Sequence, residues 1–160
     1  MNVILSHDWL TGMRGGERCL ELLCEGFPRA EIYTLLHNRS QMSDTINRHP
    51  IHTSALDRMP WIRNRFRLLL PLFPRFVEAM TVPNADALIS TSHCVAKGLK
   101  PRDGMRHICY CFTPMRYGIF YHEYFGPSRA KELVVRPMLS RLRAWDKRAS
   151  ERVDLSLIHI

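Results

Sequence analysis

Two adjacent glycines near the start of the chain could bind an anion. Gly15 and Gly16 follow an apolar run at residues 2–6 and precede a helical stretch at residues 17–24. Backbone N–H groups at the N-terminus of a helix form a positively polarised pocket for phosphate where no Cβ obstructs them. The turn matches neither the G-x-G-x-x-G fingerprint nor a P-loop, because no Lys-Ser or Lys-Thr pair follows it. A glycine pair can also serve only to ease a tight turn, so both interpretations remain open.

A histidine and an aspartate stand where the first apolar run ends. In open α/β sheets, ligands bind in the crevice outside the carboxyl ends of the strands. His7 and Asp8 come at the end of residues 2–6, so a strand there would bring both side chains to that crevice. The same dipeptide is also typical of a loop residue followed by a turn cap or a helix cap. Ligand binding and capping are therefore the two interpretations of this pair.

A second polar cluster follows another apolar run, at residues 87–91. Ser92, His93 and Lys97 stand beyond it, so their hydroxyl, imidazole and amine groups would reach the same edge of the sheet. The adjacent serine and histidine do not indicate a hydrolase, because no G-x-S-x-G elbow is present and neighbouring side chains diverge. We expect His93 to form hydrogen bonds with a substrate.

The segment after residues 107–112 carries an arginine and many aromatic side chains. Arg116 would offer a planar, permanently charged fork to a phosphate or a carboxylate, and a surface arginine is the alternative. Five aromatic residues then crowd residues 117–125. That composition suits stacking on sugar rings or packing under a loop.

The order of the apolar runs predicts the fold that positions these residues. Short apolar runs bounded by Pro, Asp, Gly or Ser predict strands at residues 2–6, 30–36, 51–54, 87–91 and 107–112. A helical pattern at residues 17–24 separates the first two strands, and Gly26 and Pro28 supply its stop. Because parallel neighbours need a crossover helix, this order predicts an α/β layered fold with a parallel sheet.

Two further segments combine basic and apolar side chains. Residues 58–77 contain five arginines and no acid among many apolar side chains. They suit either an anionic membrane surface or a core helix with a solvated basic face. Between residues 129 and 152, apolar residues step by three and four while eight residues are Lys or Arg. This pattern predicts a long amphipathic helix, with a kink or a helix start near Pro137.

The composition sets limits on size, charge and compartment. The chain has 160 residues, 46% of them hydrophobic, which is enough for one ordinary core. A net charge of +8 attracts phosphate-bearing partners, namely nucleic acid, anionic lipid or nucleotide. Five cysteines include no C-x-x-C pair, so we expect neither a metal site nor a disulfide framework, and cytoplasm rather than export. Cys109 and Cys111 should point to one face of a strand as two buried thiols.

Six segments, taken in order, resemble the successive blocks of the N-terminal domain of family 4 glycosyltransferases. They are HDWLTGMRGGER, AEIYTLLH, HPIHTSALDRMP, RLLLPLFP, SHCVAKG and YCFTPMRY. The resemblance runs from His7 to about Asp154, and it implies a Rossmann-like three-layer domain, the acceptor-side half of a GT-B enzyme. The family's donor contacts lie mostly in a C-terminal domain that this chain is not expected to contain. We therefore expect residues 1–154 to form the domain and residues 155–160 to be a non-native or truncated tail.

The resemblance also implies roles for individual residues. Gly15 and Gly16 match the family's loop at the donor phosphates, and no metal or cofactor is implied beyond the nucleotide-sugar co-substrate. The implied acceptor-binding residues are His7, Asp8, His93 and Arg116. Phe112 stands where the family has a histidine that contacts the transferring sugar, in a motif that elsewhere reads C-H-T-P. No catalytic residue is therefore assigned.

The function implied by the resemblance is that of a retaining hexosyltransferase. It would move a hexose, with mannose as the candidate, from a nucleotide-sugar to a saccharide or lipid-linked acceptor. It would work in the cytoplasm, on the inner face of the cell membrane, and this fragment alone would be inactive. The alternative is a noncatalytic basic module that docks on anionic membrane or nucleic acid. Nucleic acid is disfavoured, because residues 129–152 space their charges around an apolar stripe and no nucleic-acid motif occurs.

Overall fold

The computed structural model describes residues 1–59, 66–113 and 129–158, and its centre is a parallel sheet. The described residues contain β1 (Val3–His7), β2 (Glu31–Thr34), β3 (Ile51–Thr53), β4 (Ala87–Ser92), β5 (Arg106–Cys111) and β6 (Leu155–Ile158). Neighbouring strands all pair in parallel, in the order β3-β2-β1-β4-β5-β6. This arrangement confirms the predicted α/β, Rossmann-like fold.

Helices connect these strands and cover both faces of the sheet. The α-helices of the described residues are α1 (Gly15–Gly26), α2 (Asp44–Asn47), α3 (Phe73–Glu78) and α4 (Arg129–Ser150). Short 3-10 helices span Arg39–Gln41, Ala55–Arg58, Phe66–Leu72 and Ala96–Gly98. Helix α1 lies between β1 and β2 in sequence, as a parallel crossover requires.

Two apolar cores lie on the two faces of the sheet. One core packs Val3, Leu5 and Ile32 of the strands against α1, whose Leu20 and Cys24 are buried. The other core packs the opposite face of β1 and β4 against α3 and α4. Because both faces are covered, the central strands are continuous apolar runs rather than alternating ones. The sheet is therefore the middle of three layers.

The predicted first helix is confirmed, and it is longer than residues 17–24. Leu20 and Cys24 are buried on the face that the periodicity predicted. The helix ends at Gly26, where the backbone N–H of Phe27 donates to the carbonyl of Leu23 at 2.9 Å. Glycine and the nearby Pro28 thus stop the helix where the sequence predicted a stop.

The basic segment at residues 58–77 contributes to a core. Residues 60–65 lie outside the described residues, and the chain then forms a 3-10 helix that continues into α3. Phe66, Leu70, Phe73 and Val77 are all buried in the core beneath α4. Their burial favours a core segment over a membrane contact for these four side chains.

Helix α4 confirms the predicted amphipathic pattern. Leu139, Leu142, Trp145 and Ala149 are buried and step along one face by three and four residues. The helix begins at Arg129 and runs through Pro137, so Pro137 is not its start. Within the described residues, no helix combines the length and the hydropathy needed to cross a bilayer.

The chain beyond α4 adds one strand to the sheet. Residues 155–158 form β6, which pairs with β5 alone and carries the exposed side chains of Leu155 and Leu157. Residues 159–160 lie outside the described residues. The origin of residues 155–160 as a non-native or truncated tail stays a prediction.

Strands β1 and β4 lie side by side where the strand order reverses. Strands β2 and β3 extend the sheet on the β1 side, and β5 and β6 extend it on the β4 side. His7, the last residue of β1, pairs in register with Thr91 of β4. The carboxyl ends of these two strands therefore meet at the middle of one sheet edge, which is where open α/β sheets bind ligands.

Candidate functional site

Five residues that the sequence singled out come together at this edge. His7 ends β1 and Asp8 follows it, His93 follows β4, Phe112 follows β5, and Gly16 lies in the first turn of α1. Gly16 approaches both His7 and Phe112, and Asp8 contacts His93. We call these five the rim residues. Predicted site residue Arg116 lies outside the described residues.

The imidazole of His7 is buried and contacts Thr91 and Glu17. Its Nδ1 lies 2.7 Å from the hydroxyl oxygen of Thr91, and that oxygen is also 3.3 Å from the carbonyl oxygen of Ser6. The other ring nitrogen, Nε2, faces Glu17 Oε1 at 3.9 Å.

Gly16 allows the turn before α1 to lie directly on the ring of His7. A Cβ at Gly16 would stand 3.3 Å from His7 Cε1 and 3.4 Å from Phe112 Cε2, whereas a Cβ at Gly15 would meet open space. Neither glycine has a positive φ. Close approach to the sheet edge, and not a left-handed turn, is therefore what position 16 requires.

Glu17 is a buried residue of this site that the sequence reasoning missed. Its side chain accepts a hydrogen bond from the backbone N–H of Arg14 at 3.1 Å. Burial alone would raise the pKa of Glu17, but the nearby His7 and backbone N–H groups bring it below its usual value of 4.5. The signal that could have found it is an acid in the first helical turn after a glycine pair, where carboxylates commonly bond backbone N–H groups.

The carboxylate of Asp8 is fully buried and is surrounded by hydrogen-bond donors from the loop after β4. Its two oxygens accept the backbone N–H groups of His93 at 2.7 Å, Cys94 at 3.1 Å, Val95 at 2.6 Å and Ala96 at 2.7 Å. We call these four N–H groups, at residues 93–96, the β4 nest. Asp8 therefore caps a turn, which is one of the two interpretations left open by the sequence.

Asp8 also holds the side chain of His93. Nδ1 of His93 lies 2.9 Å from Oδ2 of Asp8, and the imidazole side chain is 27% exposed. The indole of Trp9 meets the His93 ring edge to face, with ring centroids 4.6 Å apart. The His93 ring is thus fixed by one hydrogen bond and one aromatic contact while part of it reaches solvent.

The pKa of Asp8 reflects these contacts. Burial alone would raise the pKa of the carboxyl, but the charge and hydrogen bond of His93 and the charge of His7 hold it well below its usual value of 3.8. Hydrogen bonds from several backbone N–H groups favour the ionised form of a carboxyl group. The folded chain therefore keeps Asp8 ionised at pH values where an ordinary aspartate is partly protonated.

Lys97 and Gly98 of the SHCVAKG block attach this loop to α4. Lys97 is buried and its Nζ lies 2.8 Å from Asp146 Oδ1. Burial lowers the pKa of Lys97, but the contact with Asp146 outweighs it and raises the pKa overall. A Cβ at Gly98 would collide with the indole of Trp145. The sequence placed Lys97 at the ligand-binding edge. In the structure, its amine instead pairs with Asp146 and so anchors the loop after β4 to α4.

Phe112 brings an apolar ring to the rim. It is partly buried, lies beside the would-be Cβ of Gly16, and meets Tyr110 edge to face with centroids 5.2 Å apart. Its backbone N–H donates to the carbonyl of Ser92 at 2.9 Å, which ties the ends of β4 and β5 together. The side chain itself offers no hydrogen bond to a ligand.

The five cysteines are all free thiols. Cys109 and Cys111 are buried on one side of β5, as the alternation predicted, and none of the five thiols is in a disulfide. Burial raises the pKa of Cys109 to about 11. Among the described residues, no group of His, Cys, Asp and Glu side chains is arranged to hold a metal ion.

Two cavities of the described part of the chain lie away from the rim. One of about 480 Å³ is at the amino end of β1, beside Met1 and Phe27. The other, of about 290 Å³, is between β3 and α3, beside His52 and Met80.

Comparison of the chain with protein-family models, with curated proteins and with solved structures found no match.

Proposed function

We propose that this chain is the acceptor-side half of a retaining family 4 glycosyltransferase, with the rim as the place where donor and acceptor meet. The observation that carries the proposal is the seating of the α1 turn, at Gly16, directly on His7 at the reversal point of the sheet. This is the geometry by which α/β sheets bring backbone N–H groups to a ligand's phosphate. The six sequence blocks support the choice of family, and the rim residues form the site at which transfer would take place.

The first turn of α1 would stabilise the departing diphosphate. Cleavage of a nucleotide-sugar builds negative charge on the diphosphate, and preorganised N–H dipoles stabilise such charge without reorganising. The positive end of the α1 dipole lies at Gly15 and Gly16, and Gly15 is open to solvent on its Cβ side. The negative charge of the buried Glu17 would repel an anion there, but the N–H of Arg14 and the nearby His7 compensate for that charge.

The acceptor would be held from the β4 side of the rim. His93 is the partly exposed polar side chain of the rim, and its ring is already fixed by Asp8 and Trp9. A fixed imidazole can orient an acceptor hydroxyl without loss of side-chain freedom on binding. Arg116 is the candidate ligand for a phosphate of a lipid-linked acceptor, and mannose is the candidate donor sugar.

Phe112 would make this enzyme differ from its family in the handling of the transferring sugar. An apolar ring at the junction of Gly16 and His7 cannot form the hydrogen bond that a histidine would form there. The expected consequence is slow transfer or an altered donor.

The test is a transfer assay on the full-length gene product. A panel of nucleotide hexoses, GDP-mannose included, is incubated with lipid-linked and soluble saccharide acceptors, and product and free sugar are both measured. The proposal expects transfer or donor hydrolysis with at least one donor, and faster hydrolysis in Phe112→His. Tyr110→His puts the same side chain two residues earlier on β5 and should not raise the rate. Absence of transfer and of hydrolysis across the panel contradicts the proposal.

A second candidate function is a noncatalytic module that docks on an anionic membrane. The observation that favours it is the solvent face of α4, where Arg136, Arg141, Lys147 and Arg148 are exposed opposite the buried stripe. Peripheral attachment to the inner face of the cell membrane would also fit a lipid-linked acceptor. Cosedimentation with phosphatidylglycerol vesicles, with and without Arg136→Glu and Arg141→Glu, tests the docking. Salt-sensitive vesicle binding without any nucleotide binding would favour this function over transfer.

A further inference from the structure

Two clusters of backbone N–H groups face the same edge of the sheet, and the chain itself fills one of them. The β4 nest converges on the carboxylate of Asp8 with distances of 2.6 to 3.1 Å. Successive N–H groups in a turn of this kind form a concave site for an anion. The first turn of α1 has no such resident at Gly15 and Gly16, because the acid of that turn, Glu17, bonds back to Arg14.

The contacts require Asp8 to be ionised. An ionised carboxylate only accepts hydrogen bonds, the four N–H groups of the β4 nest can only donate them, and the Ser92 hydroxyl, 3.5 Å from Oδ1, can donate as well. A proton on Asp8 would have to point at one of these donors. The carboxylate is 0% exposed, and a buried charge persists only where hydrogen bonds and opposite charge compensate for lost water.

The same carboxylate sets the state of His93. Since Oδ2 of Asp8 can only accept, the 2.9 Å contact requires a hydrogen on Nδ1 of His93. A neutral His93 is then restricted to the tautomer that carries its proton on Nδ1. The edge-to-face contact with Trp9 fixes the plane of the ring as well.

We propose that Asp8 is the resident anion of the β4 nest and a positioning residue of the rim. It fixes the loop at residues 93–96 and the Nδ1-protonated form of His93. Because Asp8 already occupies the β4 nest, the first turn of α1 is, of these two N–H clusters, the one left for a donor's phosphate. The statement about phosphate rests on the proposed function. The roles of Asp8 in the β4 nest and at His93 rest on the contacts of Asp8 itself.

The experiment removes the resident anion and offers a replacement. Asp8→Ala is measured by thermal unfolding in increasing formate, with formamide as the neutral counterpart of the same shape. We expect the substitution to lower Tm by about 10 °C and formate, but not formamide, to recover much of that loss. Asp103→Asn, at an exposed loop position, should shift Tm little and show no response specific to formate. Equal recovery by formate and formamide, or an unchanged Tm, overturns the proposal.

Two NMR measurements on the unsubstituted chain decide the matter if Asp8→Ala does not fold. The carboxyl ¹³C signal of Asp8 should stay that of an ionised group as the pH is lowered to about 3, below the usual aspartate pKa. The imidazole ¹⁵N signals of neutral His93 should show a protonated Nδ1. Protonation of Asp8 above that pH, or a protonated Nε2 in neutral His93, refutes the assignment.

Inorganic phosphate then separates the two proposals. Phosphate should shift the amide signals of residues 15–17 and leave those of residues 93–96 unchanged. Shifts at residues 93–96 contradict the resident-anion proposal. If phosphate binds at neither cluster while Asp8 stays ionised, the proposed function loses its donor site and the assignment of Asp8 is unaffected.

Discussion

Cε1 of His7 lies 3.3 Å from the point that a Cβ on Gly16 would occupy. This contact joins the last residue of the first strand to the first turn of the first helix, and a side chain at residue 16 would press on the ring of His7. The ring of His7 cannot easily retreat, because it is buried and bonded to Thr91. The position of the α1 N-terminus therefore depends on the absence of one methyl group.

Gly16→Ala should destabilise the chain by about 1 kcal/mol, although alanine normally stabilises a helix relative to glycine. The added methyl must displace His7 or Phe112, and that strain exceeds the gain in helix propensity. Gly26→Ala, at the other end of α1 where a Cβ meets nothing within 4 Å, is the matched control. Urea unfolding of both variants checks the prediction. A Gly16→Ala chain more stable than the unsubstituted chain would show that the contact is not restrictive.

Gly98→Ala should cost more, about 3 kcal/mol, because its Cβ would collide with the indole of Trp145. That indole is held in place by its own hydrogen bond to Glu78 at 2.7 Å. Trp145→Phe shortens the ring that the methyl meets. In a double-mutant cycle measured by urea unfolding, the two substitutions together should therefore cost less than the sum of their separate effects. Strict additivity would contradict the collision.

Stability should fall as the pH drops from 6.5 towards 5, and His107 is the expected cause. Burial lowers the pKa of His107 from 6.5 to about 4, and its Nε2 contacts the hydroxyl of Ser90 at 2.9 Å. In this pH window the unfolded chain binds a proton that the folded chain does not, so folding loses stability with each step of acidification. Between the two pKa values of His107, the free energy of unfolding falls by about 3 kcal/mol.

His107→Gln separates this effect from those of the carboxyl groups. Glutamine cannot titrate and can still bond Ser90, so the slope of unfolding free energy against pH between 5 and 6.5 should become nearly flat. The lowered pKa values of Asp8, Glu17 and Glu78 act at lower pH, where those groups become protonated. An unchanged slope in His107→Gln would assign the effect to another group.

Much of the architecture could be predicted because the central strands are uninterrupted apolar runs. Residues 2–6 and 87–91 became β1 and β4 with shifts of one residue at their ends. The stripe of α4 was equally visible, since Leu142 and Trp145 fall at a helical spacing. Of the two alternatives predicted at Pro137, a kink or a helix start, the start is wrong, because residues on both sides of it continue the helix in spite of its missing N–H.

The hydrogen-bond and ion-pair partners of the site residues could not be predicted from residue types. The sequence predicted that His7, Asp8 and His93 lie at one edge of the sheet. It did not predict that the carboxylate of Asp8 points inward to four backbone N–H groups. The direction of a backbone N–H depends on loop dihedrals, which composition does not specify. Lys97 was assigned to the ligand edge for the same reason, since its partner Asp146 lies on a distant helix that only the fold brings near.

The most direct test of the central claim is to map where a nucleotide diphosphate binds to this chain. GDP and UDP are titrated into ¹⁵N-labelled protein, with Gly16→Val as the variant that blocks the α1 turn and Gly26→Ala as its control. The account predicts saturable shifts at the amides of residues 15–17 and at His7, retained in Gly26→Ala and lost in Gly16→Val. Shifts confined to the basic face of α4, unaffected by Gly16→Val, would contradict it.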